Sequence, residues 1–244
     1  MIILAFFLGH WYLSLFCQTF FLHRYAAHAM FHMNRAWEKV FFVMSWIFQG
    51  SSYLSPYAYG VLHRLHHAHT DTPEDPHSPS YDDNLFKMMW RTKEVYSDIY
   101  HEKMNVDAKF TEGVPKWKKF DEFATNWAVR LMWGIAYFAF YWVFATEWWM
   151  FLLLPIHFIM GPVHGAIINW FAHKYGYVNF KAKNTSKNLM PVDIFMMGEG
   201  YHNNHHYYSS RANFGVKWHE FDPTYPVILL LDKLNIIQLK KVKA

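Results

Sequence analysis

Three long apolar stretches organise the chain. Residues 1–22 carry no formal charge, and residues 127–145 and 148–171 are almost as apolar, with Arg130 near the start of the second stretch. Each is close to the roughly 20 residues that an α-helix needs to cross a bilayer. We therefore predict three transmembrane helices, the last two forming a hairpin that turns around Glu147.

The positions of the basic residues predict how these helices are oriented across the membrane. All 23 lysines and arginines lie within residues 24–130 and 174–244. Because cytoplasmic flanks collect Lys and Arg, we expect residues 23–126 and 172–244 to face the cytoplasm. The first stretch lacks the basic start and small-residue cleavage site of a secretory signal, so we expect it to stay in the membrane.

Two shorter apolar segments complete the predicted architecture. Residues 40–48 are too few to span a bilayer, and residues 225–239 precede a basic C-terminal end. Segments of this kind are more often interfacial. We predict an all-α integral membrane protein of one domain, residues 1–244. It would have about three transmembrane helices, interfacial helices and a cytoplasmic helical cap.

Composition narrows the possible functions. The net charge of +4 is small and dispersed, which argues against a nucleic-acid partner, and the single cysteine, Cys17, excludes an internal disulfide framework. Histidine is unusually frequent, with 17 residues. Any metal site must therefore use His, Asp, Glu or Asn ligands.

Histidine is concentrated in short motifs beside the predicted membrane helices. On an α-helix, residues i, i+3 and i+4 share a face, so an HxxHH motif can direct three imidazoles to one point. His23 and His28 are about 140° apart on a regular α-helix, so they either straddle a helix end or bind different metals. The four motifs are His23-x4-His28, His63-x2-His66-His67, Asn169-x3-His173 and His202-x2-His205-His206.

Together the motifs supply nine histidines and one asparagine, which suits two metals with four or five ligands each. Imidazole binds iron, zinc, copper and nickel alike, so the spacing does not identify the metal. The absence of thiolates argues against a structural zinc site and against an iron–sulfur cluster. The residues alone predict a dimetal centre, with Asn169 acting through a bound water.

The histidines and acidic residues outside the four motifs can also be explained without a role at a metal site. A lone histidine near an interface is more often an amphipathic surface residue, and we assign this interpretation to His10, His32, His101, His157, His164 and His219. His69 and His77 continue the second motif but break its spacing, so both interpretations stay open. Asp71, Asp75 and Glu199 are either acceptors for the far N–H of ligand imidazoles or solvated loop acids.

The ordered set of motifs resembles the fatty acid desaturase family, which includes stearoyl-CoA desaturase, over roughly Gln18 to Thr224. The resemblance implies a non-haem di-iron centre with Asn169 binding through water. It also implies nine direct ligands, His23, His28, His63, His66, His67, His173, His202, His205 and His206. The matching text is HRYAAH (23–28), HRLHHAHTDTPEDPHSP (63–79), NWFAHKYG (169–176), GEGYHNNHH (198–206) and KWHEFDPT (217–224).

The resemblance also implies an activity. We expect an acyl-CoA-type desaturase of the bacterial inner membrane that uses O2 and two iron ions to place a cis double bond in a long saturated acyl chain. The acyl carrier stays open between CoA, acyl-carrier protein and lipid. A separate electron donor, such as a ferredoxin or a cytochrome b5-like protein, is expected because no fused carrier domain is recognised.

Two alternatives are kept. An acyl or alkane hydroxylase would use the same scaffold and nearly the same ligands. A histidine-rich metal transporter is less favoured, because transporters place ionisable residues near the middle of their spans.

Small residues on the third predicted span have two interpretations. Gly161, Gly165, Asn169 and His173 recur every four residues. The glycines either allow close helix packing or leave a groove for the acyl tail that leads to the metals.

Overall fold

A computed structural model describes residues 1–240 of the chain. The α-helices are α1 (Ile2–Phe16), α2 (Arg35–Gln49), α3 (Pro56–His69), α4 (Leu85–Tyr100), α5 (Ala108–Thr111), α6 (Lys118–Thr125), α7 (Trp127–Phe144), α8 (Leu154–Phe158), α9 (Met160–Ala166), α10 (Ala172–Lys174), α11 (His202–Tyr207) and α12 (Thr224–Lys233). Cys17–Ala27 and Ile167–Phe171 are π-helices, Gly50–Ser52 and Trp148–Leu153 are 3-10 helices, and β1 (Phe31–Met33) and β2 (Ile237–Leu239) are strands. The last four residues of the predicted domain, 1–244, lie outside the described residues, and its one-domain organisation stays a prediction.

Two helices of the described chain are long and apolar enough to cross a membrane. Ile2–Ala27 joins α1 to the π-helix that follows it, and so continues past the predicted end at residue 22. The second, α7, has only 11% of its residues buried and exposes Leu131, Ile135 and Trp142. An exposed apolar surface of this extent is expected on a helix that faces lipid.

The third predicted span, residues 148–171, differs from the prediction because it is not one continuous helix. Trp148–Phe158 and Met160–Lys174 meet at a bend of 76°, which makes them a broken span or a re-entrant loop. Pro162 explains where the break lies. Its ring lacks an N–H and would clash with the carbonyl four residues earlier, at Phe158.

A 3-10 turn stabilises this break. Ser51 Oγ lies 3.4 Å from the carbonyl oxygens of both His157 and Phe158, and the N–H of Gly161 donates to Ser52 Oγ at 3.1 Å. Backbone groups freed inside a membrane need such partners, since lipid offers none. A Cβ on Gly161 would lie 3.3 Å from the Ser52 carbonyl, so a small residue allows this close approach.

The shorter apolar segments form one amphipathic helix and one mixed element. Residues 40–48 lie in α2, which buries Phe41, Phe42 and Ser45 and exposes Val40 and Ile47. The depth of this helix in the membrane stays a prediction.

Residues 225–239, predicted as one interfacial element, divide into α12 and β2. β2 pairs antiparallel with β1, Phe31 opposite Leu239, and Ile237 is buried. Three residues are too few to show an alternating pattern, so neither strand is predictable from the sequence.

A buried ion pair ties the C-terminal region to the first span. Arg24 Nη2 donates to Asp222 Oδ2 at 2.8 Å, with both side chains fully buried. The Arg24 guanidinium also lies 4.0 Å from the centre of the Phe214 ring. Because a buried charge is costly without its partner, this pair fixes the FDPT segment against the helix that carries the first histidine motif.

Candidate metal centre

The π-helical winding of Cys17–Ala27 determines where the first motif points. The N–H of His28 donates to the carbonyl of His23, five residues earlier, at 3.1 Å. Bonding from residue i to residue i+5 brings such residues onto one face, whereas a regular α-helix would separate them. His23 and His28 therefore face the same group of histidines, and the alternative that they bind different metals is not supported.

Close packing of α3 on this π-helix brings in the second motif. At Gly60, a Cβ would lie 2.9 Å from Val114 Cγ1 and 3.1 Å from the Ala26 carbonyl oxygen. Glycine therefore permits the two helices to approach this closely. As a result, His63 Nε2 lies 2.9 Å from His28 Nε2.

The motif histidines converge into two adjacent groups, each compact enough for one metal ion. Within each group, one ring nitrogen from every residue lies within 4.8 Å of all the others. We refer to them as the five-histidine group (His23, His28, His63, His67 and His205) and the four-histidine group (His66, His173, His202 and His206). Each HxxHH motif contributes to both groups, so α3 and α11 bridge the two sites.

The nitrogen spacing fits metal ligands. His205 Nε2 lies 3.0 Å from the Nε2 atoms of both His23 and His67, and His202 Nε2 lies 3.0 Å from those of His173 and His206. One imidazole nitrogen carries either a proton or a lone pair, so it cannot form two such hydrogen bonds. Two nitrogens bound at right angles, each about 2.1 Å from an ion, would lie about 3.0 Å apart.

Burial favours the ligand form of these rings. It lowers the pKa of seven imidazoles well below the ordinary histidine value, and neighbouring histidines add to the effect. Rings that stay neutral near pH 7 keep a lone pair for a metal. The seven are His28, His63, His66, His67, His202, His205 and His206.

Two of the three predicted acidic residues contact candidate ligand histidines directly. His66 Nδ1 lies 2.9 Å from Asp75 Oδ1, and His23 Nδ1 lies 2.7 Å from Glu199 Oε2. Each carboxylate lies against the ring nitrogen that points away from the centre, and this leaves Nε2 directed inward. Thr19 also donates to Glu199, so its carboxylate is held on both sides.

The third acidic residue, Asp71, reaches a histidine of the four-histidine group indirectly, through Thr185. Its nearest oxygen lies 3.8 Å from His173 Nδ1, whereas Thr185 Oγ1 lies 3.0 Å from the same nitrogen. Asp71 accepts the backbone N–H of Thr185 at 2.6 Å and so positions it. Thr185 lies outside every histidine motif, so no sequence signal identifies it as a contact of His173.

A small cavity separates the first span from the broken span beside the histidines. Its volume is about 20 Å³, enough for one water molecule. Asn169 lines it together with histidines of both groups, which is compatible with contact through water. Of the two glycines in the predicted acyl groove, Gly165 lines this cavity, whereas Gly161 packs against Leu54 instead.

The three histidines within the spans correct our expectation of surface residues, because all are buried. His10 Nδ1 lies 2.5 Å from His157 Nδ1, and Tyr141 OH lies 2.8 Å from His157 Nε2. His164 lines the cavity. Apolar neighbours along the sequence were the available signal for their burial.

The spacing of His77 did not decide between a ligand and a surface residue. The side chain is buried, and one of its ring nitrogens lies within 4.8 Å of ligand atoms of His66 and Asp75. His69, by contrast, belongs to none of the candidate ligand groups of residues 1–240.

The asparagines of HNNHH face away from the histidine groups and anchor α11. Asn204 Nδ2 donates to Glu220 Oε2 at 2.9 Å, and Asn203 Nδ2 donates to the carbonyls of Phe180 and Ser186. Asn188 Oδ1 accepts the N–H groups of both asparagines. The helical spacing that directs i, i+3 and i+4 inward necessarily turns i+1 and i+2 outward, a signal that the sequence analysis did not use.

Comparison with known proteins identifies the family of this chain. The family model described as fatty acid desaturase matches residues 1–233. The chain belongs to the fatty acid desaturase family. It is 28% identical over 223 residues to the sn-1 stearoyl-lipid 9-desaturase of Anabaena variabilis, with 89% of this chain and 76% of that protein covered.

Two further relatives of this family member differ in the substrates that their names state. The sn-1 stearoyl-lipid 9-desaturase of Synechocystis sp. is 30% identical, with 89% of this chain and 65% of that protein covered. The hex-5-enoyl-[acyl-carrier protein] acetylenase of Moorena producens is 26% identical, with 94% and 74% covered. The names state lipid-linked and acyl-carrier-protein-linked substrates, so the expected acyl-CoA type gains no support from them.

Proposed function

We propose that this protein is an O2-dependent fatty acyl desaturase that places a cis double bond in a long saturated acyl chain at a di-iron centre. The observation that supports this most directly is the pair of adjacent histidine groups, five and four residues, in a chain of the desaturase family. We propose these nine histidines as the iron ligands and Asn169 as the residue that binds through water.

The reaction balances as –CH2–CH2– plus O2, two electrons and two protons, giving –CH=CH– and two water molecules. Bound iron would supply the oxidising power that removal of hydrogen from an unactivated methylene requires, which no side chain possesses. The tasks left to the protein are to hold the ligands, to position the acyl chain and to exclude bulk water.

The described residues suit these tasks. Asp75 and Glu199 hold His66 and His23 through their outward nitrogens, so the ligand rings are oriented before a metal binds. Leu15, Ile168 and Gly165 line the cavity beside the histidines. The small volume of this cavity, about 20 Å³, excludes bulk water from this side of the centre.

We also propose the setting of the reaction. The distribution of Lys and Arg supports a centre on the cytoplasmic face of the membrane. The substrates that the names of these relatives state favour a lipid-linked or carrier-protein-linked chain over acyl-CoA. A separate donor, such as a ferredoxin or a cytochrome b5-like protein, would supply the electrons.

Expression in a host without its own desaturases tests this function. We expect new cis-unsaturated fatty acids by mass spectrometry, lost in His66→Ala and retained in the exposed control His101→Ala. Hydroxylated products would instead support the alternative, a hydroxylase on the same scaffold. Absence of both products, with metal bound and a competent donor present, would contradict the proposal.

A further inference from the structure

The loop of residues 174–187 carries charge of one sign. It contains four lysines and no aspartate or glutamate. Lys181 and Lys183 are exposed, and neither forms an ion pair within residues 1–240. Lys187 serves the loop itself, since its Nζ donates to the Lys174 carbonyl at 2.6 Å. Two positive charges of this loop are therefore available to a partner.

The same loop touches the four-histidine group. Thr185 Oγ1 lies 3.0 Å from His173 Nδ1, and Asn184 Nδ2 lies 3.4 Å from His206 Nδ1. These two residues directly follow Lys183 in the sequence. Thr185 is itself exposed, so a protein bound over it would be separated from the His173 imidazole by this one side chain.

The proposed reaction consumes two electrons for each double bond. Within residues 1–240, every candidate ligand group belongs to the histidine centre or shares His66 with it. These residues thus offer no second metal site to relay electrons, which must enter from outside the described chain. Electron transfer slows steeply with distance, so an entry point next to ligand imidazoles is favoured over a remote one.

We propose that the 174–187 loop is the docking surface for an acidic one-electron carrier protein, which passes electrons to the four-histidine group across Asn184 and Thr185. This inference rests on the proposed desaturase function. Opposite charges steer such encounters and orient the partners. An anionic membrane would also attract these lysines. Attraction to a membrane does not explain why the same loop contacts His173 and His206.

A charge-reversal pair tests the proposal. The test variant is Lys181→Glu/Lys183→Glu, and the control is Lys93→Glu/Lys119→Glu, which changes net charge equally at exposed lysines elsewhere. Iron-loaded full-length protein is mixed anaerobically with a reduced acidic [2Fe–2S] ferredoxin, and oxidation of the ferredoxin is followed by stopped flow at several salt concentrations. Reduced methyl viologen, a small cationic donor, serves as the second probe.

At low salt we expect the test variant to lower the second-order rate with ferredoxin about tenfold or more and to weaken its salt dependence. The control should stay within about threefold of the unaltered protein. Reduction by viologen should be preserved in both variants. Equal rates with ferredoxin in the test variant and the unaltered protein would overturn the docking site.

A loss of binding to anionic vesicles, with the ferredoxin rate unchanged, would also overturn it and assign the loop to the membrane. Failure of the proposed function has a different signature. In that case the unaltered protein would accept electrons from both donors and still form no unsaturated product.

Discussion

The two histidine groups are built in different ways. The five-histidine group draws its members from the first π-helix, from His28 directly after it, from α3 and from α11. Each group has one supporting carboxylate from a loop, Glu199 at His23 and Asp75 at His66. The four-histidine group is contacted in addition by the 174–187 loop, where Thr185 lies against His173. The five-histidine group therefore depends on helix packing and one loop carboxylate, whereas the four-histidine group depends on contacts from two loops.

This difference predicts that the same kind of substitution will change metal binding unequally in the two groups. A site formed by helix packing should be sensitive to whatever separates the helices. A site completed by loops should be sensitive to the loss of single polar contacts.

Removal of one ligand should have the largest effect. His205→Ala should release the metal of the five-histidine group, and His202→Ala that of the four-histidine group, with activity falling by about 100-fold or more in each. Metal content by plasma mass spectrometry checks this. Loss of both metals from either variant would show that the groups do not bind independently.

Loss of the supporting carboxylates should come next. Asp75→Asn should weaken metal binding at the four-histidine group about 10- to 100-fold, while Glu199→Gln should weaken the five-histidine group. Titration with Fe2+ under anaerobic conditions would measure both affinities. Equal weakening of both groups by either variant would contradict separate support.

A larger residue where α3 contacts the first π-helix should affect the five-histidine group more than the four-histidine group. Gly60→Ala places a methyl against Val114 and the Ala26 carbonyl. It should cost about 1–3 kcal/mol and weaken the five-histidine group more. Gly9→Ala is the matched control, since no atom lies within 4 Å of its new Cβ. Thermal unfolding in detergent and metal titration provide the two readouts.

Acid should weaken the anchorage of α11, which serves both groups. Burial alone would raise the pKa of Glu220, but hydrogen bonds from the N–H groups of Lys217 and Val216 and from Tyr177 outweigh it and lower the pKa from 4.5 to about 2. The stabilisation is complete above pH 4.5 and is lost as the pH falls towards 2. Glu220→Gln should remove this dependence from melting curves between pH 6 and 3, and an unchanged dependence would contradict the assignment.

The sequence predicted much of this arrangement because its signals are local. HxxHH spacing on a helix directs His63, His66 and His67 to one side whatever surrounds them. Apolar length likewise predicted the helices that can cross a membrane. Such signals depend only on residues a few positions apart.

What the sequence did not predict depends on distant contacts or on unusual winding. A regular α-helix separates His23 from His28, and only π-helical bonding brings them together. Thr185 reaches His173 through a loop whose course no periodicity indicates. The break near Pro162 was foreseeable as a kink, but its 76° bend depends on the partners that Ser51 and Ser52 offer.

The iron content of the purified protein tests the central claim most directly. After anaerobic reconstitution with Fe2+ and removal of unbound metal, the account predicts two iron ions per chain. His205→Ala and His202→Ala should each retain one. A single iron or none in the unaltered protein, or two retained in both variants, would contradict a dimetal centre formed by these nine histidines.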